Sequence, residues 1–473
     1  MHKLTTLAAT IALVSGCALG PDYQAQTPDL PEQWPEHQLL QGDNTEDWQD
    51  WWTRFEDPAL NKLVARALDD NLALQAQIQR IEQARAQLGL SRANRWPLLS
   101  AQADASREQQ AETVMPEELG GGEPRNQFSV VGVLSYELDL WGRLSSQQEA
   151  ATAMLEQSVY GTEAVRLNLL ADVVTGYFNL RSAEQQLAIA EQTLESREKT
   201  LELEEFRYES GATDPLSVRQ ARAELEGTRA MLPQLRQQVH TNRSALAMLA
   251  GYSPEEMLEE LDFGDGKLTD IQLPDSVPEV LPAELLRRRP DILAAESGLM
   301  AANAQVGVAM AERWPSLNLS ATGGSVALDS SDLFTAPAQM WNVGASLAGP
   351  LFDFGRGRAG VDSAEAGLEI AQTEYQMAVT SAFRDARDAL TLYQNAEQRI
   401  SATRRQTEVV AETVELAELR YEQGAIGFFE LLDAQRNLLD AELALSEALR
   451  DRLAATATLF KAMGGGWQPQ EES

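Results

Sequence analysis

The sequence predicts an α+β fold: two tandem copies of one unit, each supplying a hairpin of long antiparallel helices and a pair of β-strands. Three observations carry this. The chain repeats itself at a nearly fixed offset. Two stretches of more than sixty residues contain no proline and show a seven-residue apolar period. Between the helical stretches the apolar period changes to two, the signature of strands with two unlike faces.

The repeat is read directly. Phe206-Arg207-Tyr208-Glu209-Ser210-Gly211-Ala212 returns as Leu419-Arg420-Tyr421-Glu422-Gln423-Gly424-Ala425, an offset of 213 residues. The same offset maps Ala183-Glu184-Gln185-Gln186 onto Ala396-Glu397-Gln398-Arg399 and Gly251 onto Gly464, while Arg95-Trp96-Pro97 and Arg313-Trp314-Pro315 correspond at 218. Each unit opens with a helix, Pro58 to Asn94 and then Pro290 to Glu312. A Trp-Pro corner ends it, because a proline pushes the residue before it out of the helical region.

The long helices are expected over 145–210 and 358–423. At about 1.5 Å per residue each would run about 100 Å, too long to fold onto a compact domain, so an extended array is predicted. Val173, Leu180, Leu187, Leu194, Leu201 and Tyr208 recur every seventh residue, a coiled-coil seam. Tyr393, Ile400, Thr407, Val414 and Tyr421 repeat it more weakly. Return helices follow over 215–250 and 428–463. Pro215 suits a first helical turn. Pro233 is expected to kink its helix by blocking an intrahelical bond; Ser446 replaces it in the second copy.

Strands are expected at 98–107, 127–141, 316–323 and 339–352. Phe128, Val130, Leu134, Tyr136 and Leu138 alternate with residues such as Ser129, Ser135 and Glu137, and Trp341, Val343, Ala345 and Leu347 alternate with Asn342, Gly344 and Ser346. Such a pattern suits a transmembrane barrel with lipid outside and water inside. Four strands cannot close a pore, and open edges are not tolerated in lipid, so several subunits would share one barrel. Trp96, Trp141, Trp314 and Trp341 fall near the strand ends, where they serve either as an interfacial girdle or as corner packing. Trp48, Trp51, Trp52 and Phe55 are expected to pack the N-terminal segment onto the body.

Composition narrows the class. With 72 acids against 38 bases, the net charge of −34 excludes a nucleic-acid partner, which needs a basic face. The one cysteine, Cys17, rules out an intrachain disulfide and a Cys-based metal site, and His2, His37 and His240 show no ligand spacing. Lys3 and the apolar run Leu4 to Val14 read as a signal peptide. Val14-Ser15-Gly16-Cys17 resembles a bacterial lipobox, which implies cleavage before Cys17 and a covalent lipid on it. Ala18 in place of an aspartate then favours outer-membrane sorting. No other stretch reaches the ~18 apolar residues of a transmembrane helix. The domains are thus a signal peptide at 1–16, a lipidated segment at 17–57, repeats at 58–251 and 284–464 joined by a linker at 252–283, and a tail at 465–473.

Several of these motifs together resemble the TolC/OprM family of outer-membrane efflux proteins, in its NodT-type lipoprotein branch. They are the lipobox with Gly20-Pro21-Asp22-Tyr23, Phe55-Glu56-Asp57-Pro58-Ala59-Leu60, Arg288-Arg289-Pro290-Asp291-Ile292, both Arg-Tyr-Glu-x-Gly turns, and Leu431-Leu432-Asp433-Ala434-Gln435-Arg436. The resemblance covers nearly all of the mature chain. It implies a homotrimer whose twelve-stranded barrel sits on a periplasmic α-barrel. It also implies docking to a periplasmic adaptor and an inner-membrane pump of the resistance-nodulation-division type, and passive conduction without catalysis. The helical turns would form the periplasmic tip, with Tyr208, Gly211, Ala212, Tyr421, Gly424 and Ala425 docking the adaptor. Glu430 and Asp433 match the family's acidic constriction, where threefold symmetry would make carboxylate rings selective for cations. Ser217 and Gln220 occupy the equivalent positions in the first copy. A solvated helix start, where acids are favoured, is the plainer reading of the same pair.

Gly355-Arg356-Gly357-Arg358-Ala359-Gly360 matches a dinucleotide fingerprint by spacing. The helix that follows is more than twice the length of a ~30-residue βαβ unit, and the first copy lacks the motif. No nucleophile elbow, metal-ligand cluster or phosphate loop is present in the sequence, so an enzyme is not expected, nor a cofactor beyond the lipid. Two other readings stay open: a duct for type I protein secretion, and a periplasmic coiled-coil lipoprotein without a pore.

Overall fold

A computed structural model describes residues 19–24, 29–31, 34, 48–109, 111, 113, 122–259, 261–274, 277 and 280–467. Cys17, the signal segment, His2 and His37 lie outside the described residues. The elements in chain order are α1 (Pro58–Asp70), α2 (Leu72–Ala93), β1 (Leu98–Gln109), β2 (Pro124–Leu138), α3 (Arg143–Glu209) and α4 (Pro215–Leu249). Then come α5 (Pro290–Ala311), β3 (Ser316–Ala327), β4 (Gln339–Ala348), α6 (Arg356–Glu422) and α7 (Phe428–Ala462). The two long helices have 67 residues each and the two return helices 35 each. The chain divides into a strand-bearing unit (1–26, 80–159, 294–376) and a helical unit (27–79, 160–293, 377–473).

In the strand-bearing unit the four strands form one antiparallel sheet in the order β1-β2-β3-β4, so β1 and β4 are its edges. Leu98 lies opposite Ser135, Leu138 opposite Leu317, and Ser316 opposite Ala348. The ends that join the helices are therefore all at one end of the sheet. The strands are placed differently from expectation, for local reasons. β2 ends at Leu138 because Asp139 turns to cap the next helix, accepting from Leu144 N at 2.9 Å and Ser145 N at 2.8 Å. β4 ends at Ala348 because Pro350 has no N–H to donate, and Asp353 caps α6 through Gly355 N and Gly357 N. Both long helices consequently begin two residues earlier than the sequence suggested.

In the helical unit the core forms around α3. Trp51 is fully buried, with its ring stacked on Phe460 at 5.2 Å, and Phe55 meets Phe178 edge-on at 5.0 Å. The aromatic cluster therefore packs the N-terminal segment onto the helices, as expected. A second cluster centres on Trp34, stacked on Phe383 at 4.9 Å, with its indole N–H donating to Val280 O at 2.7 Å.

The helix expected from Pro58 to Asn94 is two helices. Asn71 is extended (ψ 120°), and its side chain accepts from Ala73 N and Leu74 N while donating to Leu249 O. An asparagine that can serve both a helix start and a distant carbonyl outcompetes continued helix here. α4 is assigned as one helix through Pro233.

The repeat is visible in backbone detail. Gly251 and Gly464 both have φ of +75°. A Cβ on Gly251 would sit 2.5 Å from the Asp70 backbone, and one on Gly464 would sit 2.7 Å from Arg288 O. Asp70 and Arg288 are themselves 218 apart, the offset of the repeat's first helices.

The coiled-coil seam is confirmed at one end and altered toward the turn. Val173 and Leu180 are buried, Leu187, Leu194 and Leu201 are half-buried, and Tyr208 is exposed. A parallel heptad row, Ala183, Ala190, Arg197 and Glu204, is buried along its whole length. On α7 a third row, Ala434, Ala441, Ala448, Ala455 and Ala462, is also buried throughout. Small side chains let neighbouring helices come near enough for hydrogen bonds to α7 carbonyls: Thr407 Oγ1 donates to Ala441 O at 3.2 Å, and Arg289 donates to Ala462 O at 3.2 Å.

Candidate functional site: the two hairpin turns and the ends of the sheet

Both turns are built alike. α3 closes with Ala212 N donating to Arg207 O at 2.7 Å and Gly211 N to Tyr208 O at 3.0 Å. α6 closes with Ala425 N to Arg420 O at 2.8 Å and Gly424 N to Tyr421 O at 3.0 Å. This pair of bonds satisfies the last helix carbonyls and requires a left-handed residue. Gly211 (φ +75°) and Gly424 (φ +72°) supply it. Asp214 then caps α4 through Ser217 N at 3.0 Å, whereas Gly427 begins α7 with no side-chain cap.

The side chains around the two turns are not alike. Tyr208 is exposed, while its counterpart Tyr421 is half-buried, packs on Phe428 at 5.7 Å, and donates to Glu204 at 2.6 Å. Glu204 is fully buried and, among the described residues, its second oxygen has no hydrogen-bond partner. The Arg207 guanidinium lies 4.7 Å over the Tyr421 ring and 3.7 Å from the Glu204 carboxylate. Burial first, and then the hydrogen bond to Glu204, push the Tyr421 phenol up to about 12. About two turns back along α3, Arg197 donates to Glu224 at 2.5 Å, and Glu224 also accepts from Arg436 Nε at 2.9 Å. The Arg436 guanidinium, followed by that of Arg197, holds the Glu224 carboxyl below its ordinary value.

Glu204 and Glu224 belong to the first repeat, and Tyr421 and Arg436 to the second. The two hairpins are thus clasped by hydrogen bonds and an ion pair. The apolar contact between them is small: Ala221, Phe428 and Leu432, with Leu201 and Tyr421 at its edge.

Glu430 and Asp433 sit in the first two turns of α7 and are both exposed. Asp433 accepts from Asn437 at 3.3 Å. The residues of the clasp were not singled out from sequence. Arg197 and Glu204 continue the heptad of Ala183 and Ala190, which was the available signal.

The four tryptophans separate. Trp141 and Trp314 stack on each other at 4.9 Å, and the Trp141 indole donates to Pro315 O at 2.9 Å. Trp141 thereby packs the corner. Trp96 is exposed at the helix-side end of the sheet. Trp341, 81% exposed, pairs with Gly323 toward the opposite end.

The described chain begins at Leu19 and runs along α5. Gly20 passes Gly307 so closely that a Cβ on it would meet the Gly307 Cα at 3.2 Å; Asn303 donates to Pro21 O at 2.9 Å, and Tyr23 donates to Glu296 at 3.1 Å. Among the described residues no group of three or more His, Cys, Asp or Glu could hold a metal ion, and no helix is long and apolar enough to cross a membrane.

Long helical hairpins and an open antiparallel sheet built from a duplicated unit define a protein of the outer-membrane duct class. Residues 63–252 and 281–465 match the family described as "Outer membrane efflux protein", and the chain belongs to that family. It is 32% identical to the antibiotic efflux pump outer membrane protein ArpC of Pseudomonas putida, covering 99% of this chain and 96% of that one. It is 31% identical to the cation efflux system protein CusC of Escherichia coli, covering 98% and 99%. The outer-membrane channel OprN superposes with a TM-score of 0.87 at 32% identity, over 96% of this chain and 100% of that chain. The protein is accordingly the outer-membrane channel component of a tripartite efflux system of the resistance-nodulation-division type, a conduit rather than an enzyme.

Proposed function

We propose that three copies of the chain assemble into one duct, with twelve strands closing a barrel in the outer membrane. The sheet carries this reading. Among the described residues its β1 and β4 edges are unpaired, and lipid does not tolerate open edges, so each β4 must pair with β1 of another copy. A covalent lipid on Cys17 anchors the chain; the lipobox and the ordered path of Gly20 to Tyr23 over α5 support it. Trp96 and Trp314 lie at the periplasmic interface and Trp341 toward the outer one, with Trp141 bracing the corner.

The two hairpin turns form the periplasmic end. Tyr208, Gly211, Ala212, Tyr421, Gly424 and Ala425 meet a membrane-fusion adaptor, which links the duct to an inner-membrane pump. Glu430 and Asp433, exposed on the α7 surface, become rings of carboxylates that narrow the resting pore and favour cations. The cargo is a small molecule or ion rather than a protein, in line with relatives named for antibiotic and cation efflux.

The test is photo-crosslinking in cells from positions 212 and 425. The neighbouring glycines are unsuitable because their left-handed backbone strains any side chain. Capture of an adaptor of the efflux type is expected. Capture of a protein-secretion adaptor would change the cargo, and no capture from a protein that reaches the outer membrane would refute the docking assignment. The mass of the mature N-terminal peptide tests the lipid separately.

A further inference from the structure

The duplication extends to every boundary of the helical hairpins. α3 and α6 start and stop 213 residues apart, and so do α4 and α7. Within one copy the first hairpin meets the second along α3. Ser182 Oγ lies 3.2 Å from Ser446 Oγ, Tyr421 donates to Glu204, and the Arg207 guanidinium covers the Tyr421 ring. A closed ring of such chains presents first and second repeats in alternation. Its contacts run head to tail, so the second repeat must offer the next copy the same face that the first repeat offers the second.

That face on α6 is only half covered in the single chain. The α3 row Ala183, Ala190, Arg197 and Glu204 is buried throughout. Its counterpart on α6 is Ala396, Thr403, Val410 and Ala417, of which Ala396 is buried and the other three are half-buried. The side chains are small or apolar, as a face that another helix will cover should be.

The same offset identifies what meets at the turns. Arg207 corresponds to Arg420 and Tyr421 to Tyr208, so both members of the stacked pair are kept. Within one chain they stand open. Tyr208 is 48% exposed, Arg420 is exposed, and among the described residues neither side chain has a hydrogen-bond or ionic partner. The other polar members of the clasp are replaced: Glu204 corresponds to Ala417, Arg197 to Val410, Glu224 to Asn437 and Arg436 to Ala223.

We propose that Arg420 of each copy covers the Tyr208 ring of the next, so that the seam between copies keeps the cation–π contact of the clasp and lacks its carboxylates. A guanidinium over a phenol ring is attractive even at an exposed site and needs no buried charge. With Ala417 in place of a glutamate, the Tyr208 hydroxyl finds no acceptor there. The seams between copies are therefore weaker than those within a copy, and they part first when the tip opens. Tyr208 keeps its other ring face for the adaptor. The inference rests on the trimer proposed above, and on no particular adaptor or cargo.

The test joins two different chains. Tagged Tyr208→Cys and untagged Arg420→Cys are co-expressed, and outer membranes are treated with a short bis-maleimide. Neither chain carries both new thiols, so a tagged–untagged dimer reports contact between copies. Its yield should be at least fivefold above that from tagged Tyr208→Cys with the untagged parent, or with Arg405→Cys, which lies further from the turn. No excess of that dimer in a protein whose native mass is trimeric would overturn the seam, whereas a parent that is not trimeric would overturn the trimer with it. Ala417→Glu supplies the missing carboxylate. It should lower open probability in planar bilayers at least fivefold, and adding Tyr208→Phe should restore most of the parent value. An equal fall with and without the phenol hydroxyl would overturn the contact. The crosslink leaves Ala417 unchanged, so it decides the matter even if the glutamate variant does not assemble.

Discussion

Tyr421→Phe tests the clasp between the hairpins with the loss of one atom. The ring and its contacts with Phe428 and Arg207 remain, but the hydroxyl that donates to Glu204 at 2.6 Å is gone. Glu204 is fully buried, and among the described residues its other oxygen has no hydrogen-bond partner. A hydrogen bond to a charged group contributes about 1.5–3 kcal/mol, and a buried acceptor left without its donor costs a similar amount. If the clasp exists only when the two hairpins are together, this loss raises the population of separated hairpins about 10- to 150-fold. The assay is single-channel recording in planar bilayers, where the variant should show a larger open probability than the parent. The specific check is a double-mutant cycle with Glu204→Gln. Once the carboxylate is an amide, removing the phenol should add little. Unchanged open probability in Tyr421→Phe, or strictly additive effects in the double variant, would refute the reasoning.

Three further outcomes follow from the same geometry. Gly251→Ala and Gly464→Ala should each destabilise the protein by more than Gly211→Ala in thermal melts. All three share a left-handed backbone, which costs a non-glycine residue about 1–2 kcal/mol, but only the first two would drive a Cβ into backbone at 2.5–2.7 Å. Glu224 is held below the ordinary carboxylate value of about 4.3 by Arg436 and Arg197, so its stabilising contribution is complete above that value and is lost as pH falls through the depressed one. Limited proteolysis at the turns should therefore be unchanged from pH 8 to 5 and rise only in stronger acid; a sharp rise near pH 6 would contradict this. Glu430→Gln/Asp433→Asn should reduce the preference for cations over anions in reversal-potential measurements, and an unaltered ratio would remove these residues from the gate.

The sequence made the repeated unit legible because its signals are local. Heptads, alternating strands, Trp-Pro corners and glycine at each reversal are all read within a few residues of one another. The misplaced boundaries arose where a single polar side chain served two partners. Asn71 divides one helix into two, and Asp139 and Asp353 end strands by capping the helices beyond them. The clasp was hidden for a different reason. Arg197 and Glu204 at heptad positions look like a solvated face until their partners Glu224 and Tyr421 appear; Tyr421 lies more than two hundred residues from Glu204, and Arg436 as far from the Glu224 it shares with Arg197. The repeat itself misled on one point, since equal positions need not share an environment: Tyr208 faces solvent while Tyr421 is half-buried.

The alanine row on α7 bears on how the return helix can move. Leucine knobs in holes resist sliding because each must climb out of its pocket, whereas methyl groups present a nearly smooth track. Along such a track, register is fixed by the few groups that reach its carbonyls, among them Thr407 at Ala441 and Arg289 at Ala462. The same helix also buries Leu453, Leu459 and Phe460, and these larger side chains hold it in place while the alanine row sets how near its neighbours lie. A larger side chain at Ala448 would therefore hold the neighbouring helices off and lengthen the hydrogen bonds that reach the α7 carbonyls.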